Sequence, residues 1–133
     1  MKDKRGRDKD NRPTNSKIQW GAARKCINLL ARTIVYNGFI WNQYQFSIED
    51  FTNMRMMDRL ELPLDSYSVK GLFQDCKEHK IKIPEQSLIK DFTVKALSPS
   101  KSRKLQAVAL QVAKARNTCR IHLDIIYWRN NKD

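Results

Sequence analysis

Residues 65–79 carry polar side chains that could contact nucleic-acid bases from one face of a helix. Ser66, Lys70, Gln74 and Lys77 recur every three or four positions, which places them side by side on an α-helix. A glutamine amide can form two hydrogen bonds with adenine, and a lysine ammonium can donate to guanine. Lys70 and Gln74 are therefore the predicted base contacts of a recognition helix in the major groove of double-stranded DNA.

The segment from about residue 95 to about residue 120 is the predicted phosphate clamp. It lies in a run without carboxylates between Asp91 and Asp124, although 30% of the residues in the chain are charged. Phosphates neutralised by Lys or Arg release condensed counterions, which favours binding. The alternative is that these cations pair with the acids between residues 49 and 61. The other predicted nucleic-acid contacts are Ser66, Tyr67, Lys77, Lys95, Lys101, Arg103, Lys104, Lys114, Arg116 and Arg120.

The overall charge favours a polyanionic partner. The 133 residues include 26 Lys and Arg against 14 Asp and Glu, for a net charge of +12. This length fits one domain with a hydrophobic core. No apolar run reaches the length of a membrane span, and no signal peptide is visible. We therefore expect a cytoplasmic, nucleoid-associated protein, or a nuclear one in a eukaryote, with no membrane partner. A solvated basic surface or an acidic protein partner is the alternative to nucleic acid.

One acidic pattern could suggest a nuclease. Asp65, followed by Asp75-Cys76-Lys77, resembles the acid and acid-x-lysine elements of metal-dependent nucleases. Those enzymes need the second element on a strand, so that both acids converge on Mg²⁺. Here the second element falls within a strong helical period. We therefore predict that the protein is not an enzyme and has no catalytic residues.

The cysteine and histidine residues do not predict a metal or cofactor site. Cys26, Cys76 and Cys119 are odd in number, far apart and without a C-x-x-C pair. His79 and His122 lack the spacing of metal ligands. A chain with four glycines also has little room for a phosphate-binding loop. The prediction is no metal, no cofactor and no small-molecule substrate.

The recognition helix must be positioned by its other face. Val69, Leu72, Phe73 and Cys76 fall at helical spacing and predict a core-facing side. Asp65 is well placed to cap the first turn, because its side chain can accept from free N–H groups there. If Phe73 is buried where the helices meet, its replacement by alanine should cost about 3–5 kcal/mol.

The N-terminal half of the chain is predicted to hold a tail, two helices and a connector. Residues 1–17 are basic and almost without apolar side chains, so they suggest either a flexible solubilising tail or an arm on the phosphate backbone. Residues 22–36 show the apolar stripe of an amphipathic helix. Residues 39–46 suggest a strand or an extended connector. Residues 47–60 begin with a capping-box pattern and predict a second helix.

The C-terminal half mixes helical and strand-like patterns. Residues 92–96 alternate in a strand-like way, and residues 98–102 suggest a loop. Residues 104–114 favour a helix, although a strand is also compatible with them. Residues 118–128 predict a strand, because apolar side chains alternate along it. That apolar face consists of Cys119, Ile121, Leu123, Ile125 and Tyr127.

This order of elements is similar to that of small winged-helix DNA-binding proteins of phages, plasmids and other mobile elements. Gly71-Leu72-Phe73 and Ile126-Tyr127-Trp128-Arg129 match the family's outline over about residues 22–129. His79-Lys80 replaces a glycine that often follows the third helix, and residues 86–117 are longer than a simple wing. The resemblance implies an α+β fold: a mainly helical winged helix-turn-helix over residues 18–133, with a small antiparallel sheet. It also implies a role in transcription or replication control.

Two other functions are compatible with the sequence. An RNA-binding or ribonucleoprotein subunit could use Trp41, Tyr44 and Phe46 as stacking surfaces. A winged helix inside a larger nucleic-acid-handling complex could instead bind protein, with the tail ordered on assembly. The two alternatives differ from the first hypothesis in the partner that they require.

Overall fold

The computed structural model describes residues 17–37 and 58–130, and both stretches are mainly helical. No strand occurs in either stretch, so the predicted α+β fold with a small antiparallel sheet is wrong. The described part of the chain is an all-helical structure without a wing. Its elements are α1 (Lys17–Tyr36), α2 (Ser66–Glu78), α3 (Ser87–Lys90), a 3₁₀ turn (Val94–Ala96), α4 (Pro99–Ala115) and α5 (Arg120–Asn130).

Several predictions fall on residues that the structure does not describe. The basic tail, apart from Lys17, lies outside the described residues. So do the aromatic connector at residues 39–46 and most of the helix predicted for residues 47–60. Residues 58–60 are described, and they form a turn and a bend. The helix that would precede α2 in a helix-turn-helix is therefore untested.

The predicted strand at residues 118–128 is replaced by α5. Ile121, Asp124 and Tyr127 are buried at intervals of three, as on a helix. Asn117 has a φ of 52°, and this left-handed residue ends α4 in a tight turn. Because α5 then packs against α4 and α2, tertiary contacts override the strand-like alternation of its sequence. The match of Ile126-Tyr127-Trp128-Arg129 to a closing strand is wrong for the same reason.

The two other patterns in the C-terminal half also form helical structure. Residues 104–114 lie in α4, as predicted, but α4 begins earlier, at Pro99. Ser98 caps α4 by accepting from the Lys101 N–H, so most of the predicted loop at residues 98–102 is the first turn of a helix. The strand-like alternation at residues 92–96 corresponds to the 3₁₀ turn.

Helices α2, α4 and α5 enclose the hydrophobic core. Three of the four apolar residues that were predicted to face the core from α2 are buried, whereas Phe73 is only partly buried. The Lys77 ammonium lies 4.5 Å from the centre of the Phe73 ring. Phe73 is therefore not the buried anchor that the sequence suggested. The largest fully buried apolar side chains are Leu62, Leu72, Ile121, Leu123, Val69, Val112, Pro63 and Cys76.

Gly71 lets α5 approach α2 closely. A Cβ atom at Gly71 would lie 2.4 Å from Cδ1 of Tyr127, which is closer than any real contact. The Tyr127 hydroxyl then reaches Asp75 on α2 and donates to its Oδ2 over 2.8 Å. The glycine noted in the sequence thus serves helix packing, and it sets the spacing between α2 and α5.

Helix α1 contacts the rest of the structure through its polar side. Arg24 binds Glu61 with two hydrogen bonds, of 2.9 Å from Nε and 2.6 Å from Nη2. The Asn28 amide donates to the same carboxylate over 3.2 Å. Arg32 pairs with Asp124, which is fully buried in α5. These contacts leave the opposite, apolar side of α1 facing outward.

The outward side of α1 is the stripe that the sequence analysis would place against a core. Ile27 and Leu30 are 58% and 60% exposed. Cys26 on the same helix is also exposed. The orientation is reversed because the acids Glu61 and Asp124 attract the cationic side of α1, a preference that α1's own sequence cannot show. No helix in the described stretches is long and apolar enough to cross a membrane.

Candidate nucleic-acid interface

The outer face of α2 carries all five of the contacts predicted there. Their side chains are exposed, because the opposite side of the helix is packed in the core. Helical spacing makes them neighbours on one continuous surface. The residues of this outer face are Ser66, Tyr67, Lys70, Gln74 and Lys77.

The start of α2 is held by a capping box, and the predicted N-cap is confirmed. The Asp65 Oδ1 accepts from the Tyr67 and Ser68 N–H groups over 3.0 and 2.8 Å. The Ser68 hydroxyl in turn accepts from the Asp65 N–H over 2.8 Å. Lys25 of α1 contacts Oδ2 of Asp65 at 3.3 Å. Such a network fixes the direction in which the outer face of α2 projects.

A groove lies at the N-terminal end of this outer face. Tyr67 on α2 and Trp128 on α5 are 47% and 46% exposed. Their ring centres are 5.5 Å apart, and the rings are tilted by 41°. The groove has a volume of about 410 Å³, and residues 92–94 complete its wall. Trp128 was not among the predicted contacts, because a strand assignment gave no reason to place it beside Tyr67.

The predicted phosphate clamp at residues 95–120 divides into exposed and internally bound cations. Arg116 is held by Asp75, which accepts from Nε at 2.7 Å and from Nη2 at 2.5 Å. This hydrogen bonding outweighs burial and raises the pKa of Arg116. Lys104 forms a surface ion pair with Glu85. The exposed cations of the clamp are Lys95, Lys101, Arg103, Lys104 and Lys114.

Arg120 is also occupied within the protein. Its guanidinium donates to the Asp58 carbonyl, and burial lowers its pKa despite the nearby acids Glu61 and Asp58. Its Nε is buried and lacks a hydrogen-bond partner within the described residues. Arg116 and Arg120 thus belong to the internal packing, and the exposed residues of the clamp are better placed for phosphates.

The acids with buried or largely buried carboxylates are paired inside the structure. Glu61, Asp65, Asp75 and Asp124 each contact an Arg or Lys side chain. Burial raises the pKa of Glu61, but hydrogen bonds from Arg24 and Asn28 outweigh it and the net pKa is lowered. Within residues 58–130, many exposed cations have no acidic partner in the described structure. They are Arg59, Lys70, Lys80, Lys82, Lys90, Lys95, Lys101, Arg103, Lys114 and Arg129.

One acidic cluster has the dimensions of a metal site but not its chemistry. Ligand atoms of Asp75, Glu78 and His79 lie within 4.8 Å of one another. Both oxygens of Asp75, however, already accept hydrogen bonds from Arg116, and one also accepts from Tyr127. A guanidinium in contact with the carboxylate repels a cation, so this cluster is a poor site for metal.

No protein family, curated protein or solved structure matches this chain. Geometry and charge are therefore the basis for assigning a function.

Proposed function

We propose that this protein binds nucleic acid through the outer face of α2 and the exposed cations around it. The observation that carries the proposal is the segregation of charge. The buried acids are neutralised by internal partners, while lysines and arginines without acidic partners cover the outside of the described structure. Such a surface concentrates anions and releases counterions when phosphates bind.

The outer face of α2 supplies different contacts at different positions. Lys77 and the exposed cations Lys101 and Arg103 are suited to phosphates, because a Lys or Arg head group binds any phosphate oxygen. Lys70 and Gln74 lie at the centre of the helix face, where a groove-bound helix presents side chains to base edges. A role in transcription or replication control would follow from such contacts.

The experiment compares two variants that lose the same charge. Lys70→Ala with Lys77→Ala removes two cations from the outer face of α2, and Lys82→Ala with Lys90→Ala removes two exposed cations elsewhere. Fluorescence anisotropy with labelled oligonucleotides at several salt concentrations gives the affinity and its salt slope. The first variant should weaken binding and reduce the slope by about two, one for each lost phosphate contact.

The outcomes separate the proposal from its competitors. Equal losses in the two variants would mean that binding follows net charge and that α2 is not the interface. No binding at low salt would overturn the nucleic-acid proposal. The protein-interaction alternative would then be favoured, and the exposed apolar side of α1, with Ile27 and Leu30, is the observation that supports it.

A further inference from the structure

The groove beside Tyr67 and Trp128 has the shape and lining of a site for a flat ring. It lies between the start of α2, the end of α5 and residues 92–94, and its volume is about 410 Å³. That volume falls within the range of small-ligand pockets. Phe92 adds a third aromatic side chain to the wall. We propose that this groove holds one unpaired base of a nucleic-acid strand, an inference that rests on the proposed nucleic-acid function.

The two exposed rings supply the stacking surface. Tyr67 and Trp128 keep nearly half of their surface in contact with solvent, although the core of α2 and α5 lies directly beneath them. Their tilt of 41° leaves the rings splayed instead of stacked face to face. A base that stacks on an exposed ring replaces water on an apolar surface, and each such contact contributes substantially to strand binding.

Polar groups on the rim match the edge of a base. The Ser66 and Thr93 hydroxyls line the groove, and a hydroxyl can both donate and accept. The Thr93 hydroxyl also accepts from the Ala96 N–H over 3.2 Å, which fixes its position. Lys25 lines the same groove, and its ammonium donates toward Asp65. The rim can therefore hydrogen-bond several bases without demanding one.

Cations are available on either side for the flanking phosphates. Lys70 lies one helical turn beyond Tyr67, and Arg129 follows Trp128 in α5. Both side chains are exposed and have no acidic partner within the described stretches. An aromatic surface with neighbouring cations is the usual arrangement for binding single strands.

The stacking requirement selects the ligand. Both faces of a base inside a duplex are covered by its neighbours, so Trp128 cannot stack on it. An unpaired base exposes at least one face and can enter the groove. The substrate class is therefore a nucleic acid with single-stranded bases, and duplex DNA would contact only the charged surface.

The test uses the full chain and three labelled ligands of equal length: a DNA strand, an RNA strand and a DNA duplex. Trp128→Leu removes the aromatic face, and Trp128→Phe keeps it. The leucine variant should lose about tenfold in affinity for the single strands, as expected for one stacked base. The phenylalanine variant should retain most of the affinity, and duplex binding should be unchanged in both. Preference for the RNA strand would identify ribose contacts beside the base.

Two controls keep the outcome decisive. A DNA strand with abasic sites keeps its phosphates, so the wild-type protein should bind it as weakly as Trp128→Leu binds the normal strand. Tyr67→Leu repeats the test from the other side of the groove if Trp128→Leu fails to fold by circular dichroism. Unchanged single-strand affinity in the leucine variants, or equal binding of the abasic strand, would overturn the base site and leave the charge-based function standing. Loss of all binding in the wild-type protein would overturn both.

Discussion

Gln106 is the residue through which α4 holds the connector that leads into α2. Its side-chain oxygen accepts from the Leu62 N–H over 3.0 Å, and its amide nitrogen donates to the Leu62 carbonyl over 2.7 Å. Leu62 is fully buried, so its backbone groups have no water to bind. One glutamine thus performs the hydrogen bonding that a neighbouring strand would otherwise provide.

Replacing Gln106 by leucine should therefore destabilise the protein strongly. The substitution keeps an apolar side chain of similar length but leaves two buried backbone groups unpaired, at a cost of about 2–4 kcal/mol. Gln111→Leu is the matched control, because Gln111 is exposed on the same helix. Urea denaturation measures the free energy of unfolding of both variants. A similar, small effect for the two would show that the Gln106 contacts contribute nothing to stability.

At the level of elements, the end of α2 contains a strained residue. Lys80 has a φ of 54°, a left-handed conformation that costs a side chain with a Cβ atom about 1 kcal/mol or more. The turn is nevertheless formed, since the Ile81 N–H donates to the Cys76 carbonyl over 2.8 Å. The sequence analysis noted that His79-Lys80 stands where a glycine is common.

Lys80→Gly should stabilise the protein by about 0.5–1 kcal/mol. Glycine adopts the left-handed conformation without steric cost, although it also makes the unfolded chain more flexible. Asn117 has a similar φ of 52°, but asparagine tolerates this conformation, so Asn117→Gly should change stability less. The melting temperatures of the two variants test this comparison. A larger gain for Asn117→Gly would contradict the steric explanation.

Sequence could predict the elements whose contacts are local. The helical period of α2 and the cap at Asp65 are set by neighbouring residues, and both predictions are confirmed. The exposed face of α2 followed from the same period. Helix α5 could not be predicted in this way, because its apolar alternation fits a strand and only packing against α2 and α4 decides for the helix.

Contacts between distant residues were also beyond prediction. The ion pairs of Arg24 with Glu61 and Arg32 with Asp124 join α1 to residues far along the chain. They turn the apolar side of α1 outward, against the pattern of its sequence. For the same reason, no local pattern could place Trp128 beside Tyr67 in the candidate site.

For the whole molecule, these ion pairs make the attachment of α1 sensitive to pH. Glu61 has a lowered pKa, because hydrogen bonds from Arg24 and Asn28 outweigh the opposing effect of burial. A carboxylate whose pKa is lowered on folding stabilises the protein above its unfolded pKa. That contribution is lost as the pH falls through the folded pKa.

Arg24→Met should therefore be destabilising at pH 7 by roughly 1 kcal/mol or less, since the Arg24 side chain is partly exposed. The difference from wild type should shrink once the pH falls below the ordinary glutamate pKa of about 4.3. Arg103→Met removes an exposed cation that has no acidic partner within the described residues and serves as the control. Thermal unfolding at several pH values measures both. A difference that persists at pH 2 would assign the effect of Arg24 to packing instead of charge.

The outward side of α1 also gives the protein a selective chemical handle. Cys26 is exposed there, whereas Cys76 is buried in the core, where burial raises the pKa of its thiol to about 11. Burial also raises the pKa of the partly exposed Cys119. Alkylating reagents attack the thiolate, so a brief treatment near neutral pH should modify Cys26 first. A fluorophore attached at Cys26 would then report when α1 separates from the rest of the protein.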